Sequence, residues 1–134
     1  MDVNELSACE AYEIQTTETF EKNIQKLVVK KKFKSLPKQI KDVMLETSNG
    51  NFEGKLLTHG VTPTPYDVYK LRLPNCDAGV GKSNGYRVIY SVITEHHVVV
   101  FLYIYYKKEQ ETIDDSYITT WVQGFLARDL SEKH

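Results

Sequence analysis

The residues best able to do chemistry in this chain are cations and tyrosines around a glycine-rich turn. They lie on two predicted strands, in the turn between them and after a third strand: Lys70, Arg72, Lys82, Arg87, Tyr105 and Lys107. Guanidinium and ammonium groups suit phosphate, and tyrosine rings stack on splayed bases. If the strands form an antiparallel meander, the set predicts a site for a phosphate backbone. The alternative is a solvated strand edge whose lysines prevent sheets from pairing, and the residues alone do not decide between the two.

The turn itself does not match the known nucleotide-binding loops. A loop of the G-x-x-x-x-G-K-S type that ended at Gly81-Lys82-Ser83 would require glycine at the position of Cys76. Such a loop also opens a helix, whereas the residues from Tyr86 onward read as a strand. A dinucleotide fingerprint fails as well, because Asn84 stands where its last glycine is required.

Histidine and cysteine do not suggest a metal or nucleophilic site. The histidines show no ligand spacing, because the two that are adjacent point to opposite faces and the others are distant: His59, His96, His97 and His134. Cys9 and Cys76 are too few and too far apart for a metal quartet or a disulfide framework. No Ser/His/Asp or Cys/His arrangement is visible. We therefore expect a site that uses neither a metal nor a cofactor.

Composition indicates a globular protein with a polarised charge distribution. The 134 residues suffice for one domain with a real core. The net charge of −1 combines an acidic start with a basic middle, so a polyanionic partner is compatible with it, because fields act locally. No apolar run could cross a bilayer, and the first residues lack the pattern of a secretory signal. We expect a reduced, cytoplasmic protein.

Two amphipathic helices are predicted before the strands of the meander. Thr17 can cap the first, whose apolar residues follow helical spacing: Phe20, Ile24, Leu27 and Val28. The second begins at about Leu36, with Ser35 as its cap, and Asn49-Gly50 ends it. The pair forms a helical hairpin that needs a sheet to cover. Lysines 30–32, at the end of the first helix, have two interpretations: a solvated helix end or a partner-binding surface.

The strands and a final helix complete the domain. A short strand is expected over 12–16, and three more over 69–73, 86–93 and 98–105, after an irregular stretch 51–67. Asp114-Asp115-Ser116 can cap a last helix with apolar residues at helical spacing: Ile118, Trp121, Val122, Phe125 and Leu126. The order β-α-α-β-β-β-α predicts an α+β domain over 11–130, with the hairpin and last helix packed on a mostly antiparallel sheet. Residues 1–10 are expected to be a loose leader and 131–134 a frayed tail.

The chain resembles toxins of the RelE/ParE superfamily, especially the HigB-like, phage-protein-like branch. The resemblance covers about 12–130 and lies in the element order and in three motifs: Lys70-Leu71-Arg72, Gly81-Lys82-Ser83-Asn84-Gly85-Tyr86-Arg87-Val88-Ile89-Tyr90, and Ile104-Tyr105-Tyr106-Lys107 followed by Glu109. Asn84 replaces the first glycine of a pair in that branch, a mild departure because asparagine tolerates left-handed backbone.

The resemblance implies an RNA-cleaving toxin of a type II toxin–antitoxin system. Such toxins enter the ribosomal A site and cleave mRNA without a metal, using the RNA 2′-hydroxyl as the nucleophile. By motif, Arg87 would stabilise the transition-state phosphate, and Lys82 and Lys107 would supply charge or transfer protons. Tyr105 would act in acid–base chemistry or stacking. Arg72 and Lys70 would hold the backbone.

The resemblance also implies partners and leaves alternatives. The partners would be a cognate antitoxin, the ribosome and mRNA, with no membrane, and oligomers would form only through the antitoxin complex. One alternative is a ParE-like toxin that poisons DNA gyrase without a nuclease site. Another is an inactive RelE-fold binding protein, which would cause no growth arrest on expression.

Overall fold

A computed structural model describes residues 11–58, 66–109 and 114–120, together with Val122 and Gly124. The elements in chain order are β1 (Glu13–Thr16), helix α1 (Glu18–Gln25), which continues through a wider helical turn (Lys26–Lys30), and α2 (Leu36–Ser48). They continue with β2 (Lys55–Leu56), β3 (Asp67–Leu73), β4 (Tyr86–Ile93) and β5 (Val98–Tyr106). Residues 115–120 begin a last helix, α3. The predicted leader 1–10, the predicted tail 131–134 and His59 lie outside the described residues.

The strands form one five-stranded sheet in the order β1-β5-β4-β3-β2. β1 runs parallel to β5, and the other neighbours are antiparallel. The predicted meander of three consecutive strands is therefore confirmed, as is the mostly antiparallel α+β architecture. A short helical turn at Thr94–His96 joins β4 to β5.

Each face of the sheet carries its own apolar cluster. Residues of the helical hairpin, among them Phe20, Leu27, Leu36 and Ile40, pack on one face with Val88 and Tyr90 of β4. On the other face, Ile118 and Val122 of α3 pack with Ile89 and Leu102. A two-sided sheet of this kind explains why β4 reads as apolar at almost every position, since both faces of the strand are buried.

The starts of α1 and of α2, at Leu36, agree with the sequence prediction, but only α1 has the predicted side-chain cap. The Phe20 backbone N–H donates to Thr17 Oγ1 at 3.0 Å, which is the predicted cap. Ser35 forms no side-chain cap on α2. Instead its backbone N–H and its hydroxyl donate to the Asp77 carboxylate at 2.8 and 3.0 Å. The predicted side-chain cap is absent because Ser35 has helical backbone angles (φ −82°, ψ −12°) in place of the extended backbone of a capping residue, and its hydroxyl points to a carboxylate 42 residues away.

Two features of the sheet were not predicted. Lys55–Leu56, placed in the irregular stretch 51–67, forms the edge strand β2 against β3, and a two-residue strand is too short to show a period. In addition, β5 carries an extra residue, because Ile89 pairs with Tyr103 while Tyr90 pairs with Phe101. This bulge shifts the alternation of β5 and so sets which of its side chains reach each face. Among the described residues, no helix is both long and apolar enough to cross a membrane.

Candidate nucleic-acid interface

Arg72, Arg87 and Tyr105 form a row across three adjacent strands. The register pairs Arg72 with Arg87 and pairs Arg87 with Tyr105. Directly paired residues project from the same face of a sheet. Because the neighbours of Arg87 along β4, Tyr86 and Val88, pack with the helical hairpin, the row lies on the opposite face. The meander thus brings together three residues that the sequence separates by up to 33 positions.

The Arg87 guanidinium anchors the glycine turn from below. Its side chain is buried, with 3% of the residue exposed. Nη1 donates to the Lys82 carbonyl at 2.8 Å and to the Tyr86 carbonyl at 3.2 Å, and Nη2 donates to the Ser83 carbonyl at 2.8 Å. Burial lowers the pKa of Arg87, and the charge of Arg72 lowers it further, while Tyr105 acts in the opposite direction. Arg87 therefore fixes the segment that presents Lys82.

Close backbone packing joins this turn to the end of β5. The Lys107 backbone N–H donates to the Gly85 carbonyl at 2.8 Å. A Cβ atom on Gly85 would lie 2.0 Å from the Leu73 carbonyl oxygen, so only glycine fits without a backbone shift. Lys82, in the turn, is exposed, and Lys107 is partly buried. The hydrogen bond brings the two lysine-bearing segments, which are 25 residues apart in sequence, to the same end of the sheet.

Lys70 lies on the same face as Arg72, but its ammonium group is already paired. Its Nζ lies 2.7 Å from Asp115 Oδ1, and Lys55 Nζ lies 2.8 Å from Asp115 Oδ2. Burial raises the pKa of Asp115, but hydrogen bonds from both lysines and their charges outweigh that effect, so the pKa is lowered overall. Sequence reasoning assigned Asp115 only to the helix start. Contact with Lys70 across 45 residues has no local signal in the sequence.

The six predicted site residues therefore differ in accessibility. Arg72 and Lys82 are exposed, and Lys107 is partly buried. The Lys70 side chain is only 10% exposed, and Arg87 and Tyr105 are buried. A phosphate that approaches this face first meets the exposed cations, and Arg87 lies beneath them.

Next to Tyr105, along the outer edge of β5, lies a cavity of about 300 Å³ that the sequence did not indicate. Lys26 and Lys31 from the end of α1 contribute to its wall, together with Tyr103 and Glu109. Lys31 Nζ forms an ion pair of 2.9 Å with the Glu109 carboxylate. Of the basic run, Lys31 thus lies at the tyrosine-lined edge of β5, where its charge is paired with that of Glu109.

The described residues contain no group of three or more His, Cys, Asp or Glu side chains that could hold a metal ion. Arg72 and Arg87 form no ion pair with any carboxylate in the described part of the chain. Arg72 and Arg87 thus pair across β3 and β4 on one face of the sheet without a carboxylate partner among the described residues. Such an arrangement attracts an anion.

Comparisons with known proteins find no family match but do find similar solved structures. No protein-family model matches the chain, and a search of curated proteins finds no match. Among solved structures, the fold is similar to a chain of an archaeal RelE–RelB complex from Pyrococcus horikoshii OT3, with a TM-score of 0.42 and 19% sequence identity. The match covers 75% of this chain and 99% of that chain. Similarity of this degree concerns the course of the chain and carries no argument about function.

Proposed function

We propose that this chain is a toxin of the RelE/ParE superfamily, of the HigB-like branch, and that it cleaves mRNA on the ribosome. The observation that carries the proposal is the Arg72–Arg87 pair on one face of the sheet. Like charges directly opposite each other in a sheet are destabilising. An anionic ligand bound near the two arginines would relieve this repulsion, and an RNA phosphate is such a ligand.

The residues around the Arg72–Arg87 pair support RNA as the anion. Lys82 lies in the turn that Arg87 holds, and Lys107 lies where the backbone of β5 meets that turn. Tyr103, which lies beside Tyr105 on β5 and keeps part of its surface exposed, favours a nucleic acid over a free phosphate, because aromatic rings stack on unpaired bases. The spacing of these residues is the one that resembles the superfamily motif.

In the proposed reaction, the RNA 2′-hydroxyl oxygen attacks the adjacent phosphorus. A bond forms between O2′ and phosphorus, the bond from phosphorus to O5′ breaks, and the product carries a 2′,3′-cyclic phosphate. One protein group accepts the 2′-hydroxyl proton and another donates a proton to O5′. Lys82 and Lys107 are the candidates for these transfers, and Tyr105, with 2% of the residue exposed, would reach the RNA only after a local rearrangement. Arg72 neutralises charge on the non-bridging oxygens.

Arg87 has a more indirect part in this proposal than its motif suggests. Its guanidinium donates to three backbone carbonyls, so it contributes a positive potential from beneath the phosphate and holds Lys82 in place. Lys70 would contact the RNA backbone only after the Asp115 ion pair is given up. The proposed partners are the ribosome, mRNA and a cognate antitoxin.

A translating extract supplied with defined mRNA tests this function. We expect wild-type protein to cut mRNA within codons, and Arg72→Ala to cut at least about tenfold more slowly, equivalent to about 1.4 kcal/mol of activation barrier. Lys41→Ala, which removes an exposed cation from α2, is the matched control and should retain the wild-type rate. Equal rates for both variants would overturn the site. A DNA gyrase supercoiling assay separates the alternative, since only a gyrase poison traps gyrase on DNA.

A further inference from the structure

On the helical-hairpin side of the sheet, a groove of about 240 Å³ lies between α2 and β3. Its floor is apolar and is formed by Val43, Leu71, Leu73 and Tyr90. Its rim carries three exposed carboxylates: Asp42, Glu46 and Glu53. No lysine or arginine lines it within the described part of the chain. The groove is therefore apolar at its base and acidic at its rim, the reverse of the cationic face.

Beyond Leu71, which Gly54 approaches closely, the edge of β3 beside this groove is open. β2 pairs only with Tyr69 and Lys70, so within the described residues the stretch from Leu71 to Leu73 has a strand neighbour only on its β4 side. The Leu57 backbone N–H donates to the Val68 carbonyl at 2.7 Å, so alternate residues of β3 direct their backbone groups to that edge. Arg72 continues this series and turns its backbone N–H and C=O toward the open side.

A buried acceptor in the groove wall also lacks a partner. Gln39 lines the groove, and its Nε2 donates to the Pro74 carbonyl at 2.8 Å. Its Oε1 is buried and accepts no hydrogen bond from any described group. A buried acceptor without a donor is costly, and a donor from a ligand would satisfy it once the Gln39 side chain turns toward the groove. Together with the carboxylates and the open strand edge, this favours a ligand rich in N–H groups.

We propose that this groove binds an extended cationic segment of a partner protein. An apolar side chain of the segment would fill the floor, its backbone would pair with the open edge of β3, and flanking lysines or arginines would meet the rim. Extended peptides commonly bind open sheet edges in this way. The groove is smaller than the roughly 300–1,000 Å³ of typical small-molecule sites, which suits one side chain better than a whole cofactor.

Charge favours a cationic segment over RNA or the first ten residues of the chain as the occupant of the groove. Asp42 and Glu53 form no ion pair within the described residues, and neither does Glu46, which accepts only from Asn51. Three unpaired carboxylates repel an RNA phosphate and attract lysine or arginine. The first ten residues of the chain itself carry acidic side chains and no lysine or arginine, so they are poorly matched to the groove. The inference does not depend on the proposed RNA cleavage, because the groove and the arginine row lie on opposite faces of the sheet.

A labelled peptide tests the proposal directly. The probe is a fluorescein-tagged pentapeptide of alternating lysine and leucine, and its binding to the full chain is followed by fluorescence anisotropy. We expect saturable binding that weakens with salt and falls at least about tenfold, or about 1.4 kcal/mol, in Glu46→Lys. Glu95→Lys makes the same charge change in an exposed turn and should bind as the wild type does. The neutral pair Asp42→Asn and Glu46→Gln tests the rim without placing a lysine there.

Several outcomes would overturn the proposal. They are absence of saturable binding, equal affinity in Glu46→Lys and Glu95→Lys, and equal binding of a pentapeptide of alternating glutamate and leucine. An affinity for a short RNA that changes in Glu46→Lys but not in Glu95→Lys would show instead that the groove belongs to the RNA surface. The mRNA cleavage rate of Glu46→Lys should match that of the wild type. A protein that binds the peptide but does not cut mRNA would therefore refute the proposed function and leave this inference standing.

Discussion

The role of Arg87 leads to a prediction in which stability and activity can be separated. Substitution by methionine keeps an apolar stem of similar length and removes the guanidinium that donates to the turn. We expect Arg87→Met to lose both folding stability and cleavage activity, because the turn that presents Lys82 loses its anchor. Arg72→Met removes the exposed member of the same pair, and it should lose cleavage activity alone.

The magnitude follows from the hydrogen bonds. A bond from a charged donor contributes about 1.5–3 kcal/mol net, and Arg87 makes three to backbone carbonyls. Lys82 and Ser83 are exposed, so their carbonyls can regain water and the lower figure applies. Relief of the repulsion from Arg72 returns about 0.2–1 kcal/mol. The free energy of unfolding of Arg87→Met should therefore fall by about 4 kcal/mol, whereas that of Arg72→Met should rise by up to about 1 kcal/mol.

Urea denaturation followed by far-ultraviolet circular dichroism measures both values, and the linear dependence on urea allows comparison of midpoints. Cleavage is measured in parallel at a temperature at which each variant is folded. Arg87→Lys is the conservative control, since a lysine keeps the charge but cannot reach the carbonyls with a two-pronged fork. It should recover part of the cleavage rate and little of the stability.

One combination of results would refute the anchoring role. If Arg87→Met unfolds at the urea concentration of the wild type and yet has lost cleavage, the guanidinium contributes nothing to the turn. It would then contact the phosphate itself, after a rearrangement that releases the carbonyls of Lys82 and Ser83. Loss of stability with unchanged cleavage would instead remove Arg87 from the proposed site altogether.

Two further predictions concern the framework of the site. Gly85→Ala should lower the free energy of unfolding by at least about 3 kcal/mol, because its Cβ would lie 2.0 Å from the Leu73 carbonyl oxygen. Gly81→Ala, which has open space around it, should lower the free energy of unfolding by less than about 1 kcal/mol. The same urea titration measures both values. Asp115→Asn should lower the free energy of unfolding at pH 7 by only about 1 kcal/mol, because Asp115 is one-third exposed and solvent weakens its ion pairs. The pKa of Asp115 in the folded protein is lowered from 3.8, so its contribution to stability is present above that pH and is lost as the pH falls through the lowered pKa. The difference in the free energy of unfolding between the wild type and Asp115→Asn should therefore narrow in acid. Equal unfolding of the two glycine variants, or a pH-independent difference for Asp115→Asn, would contradict these expectations.

Local signals in the sequence were sufficient for the elements of the fold. The Thr17 cap, the helical spacing from Phe20 and the alternation along β3 depend on neighbours within a few residues, so they predict the structure directly. The meander of β3, β4 and β5 followed from their order, since antiparallel neighbours need only short connections. Lys55–Leu56 had no such signal, because two residues form a strand only when an edge is already present to pair with.

The candidate site likewise combines features that the sequence indicates with features that only the fold decides. Residue types around the turn identified which side chains could bind phosphate, because cations and tyrosines at strand ends are visible in the sequence. Their availability was decided by tertiary contacts. The fold buries Arg87 beneath the turn, pairs Lys70 with a carboxylate 45 residues away and leaves Arg72 exposed. Burial and ion pairing depend on which distant segments meet, and the bulge of β5 and the packing of α3 settle that only in the folded chain.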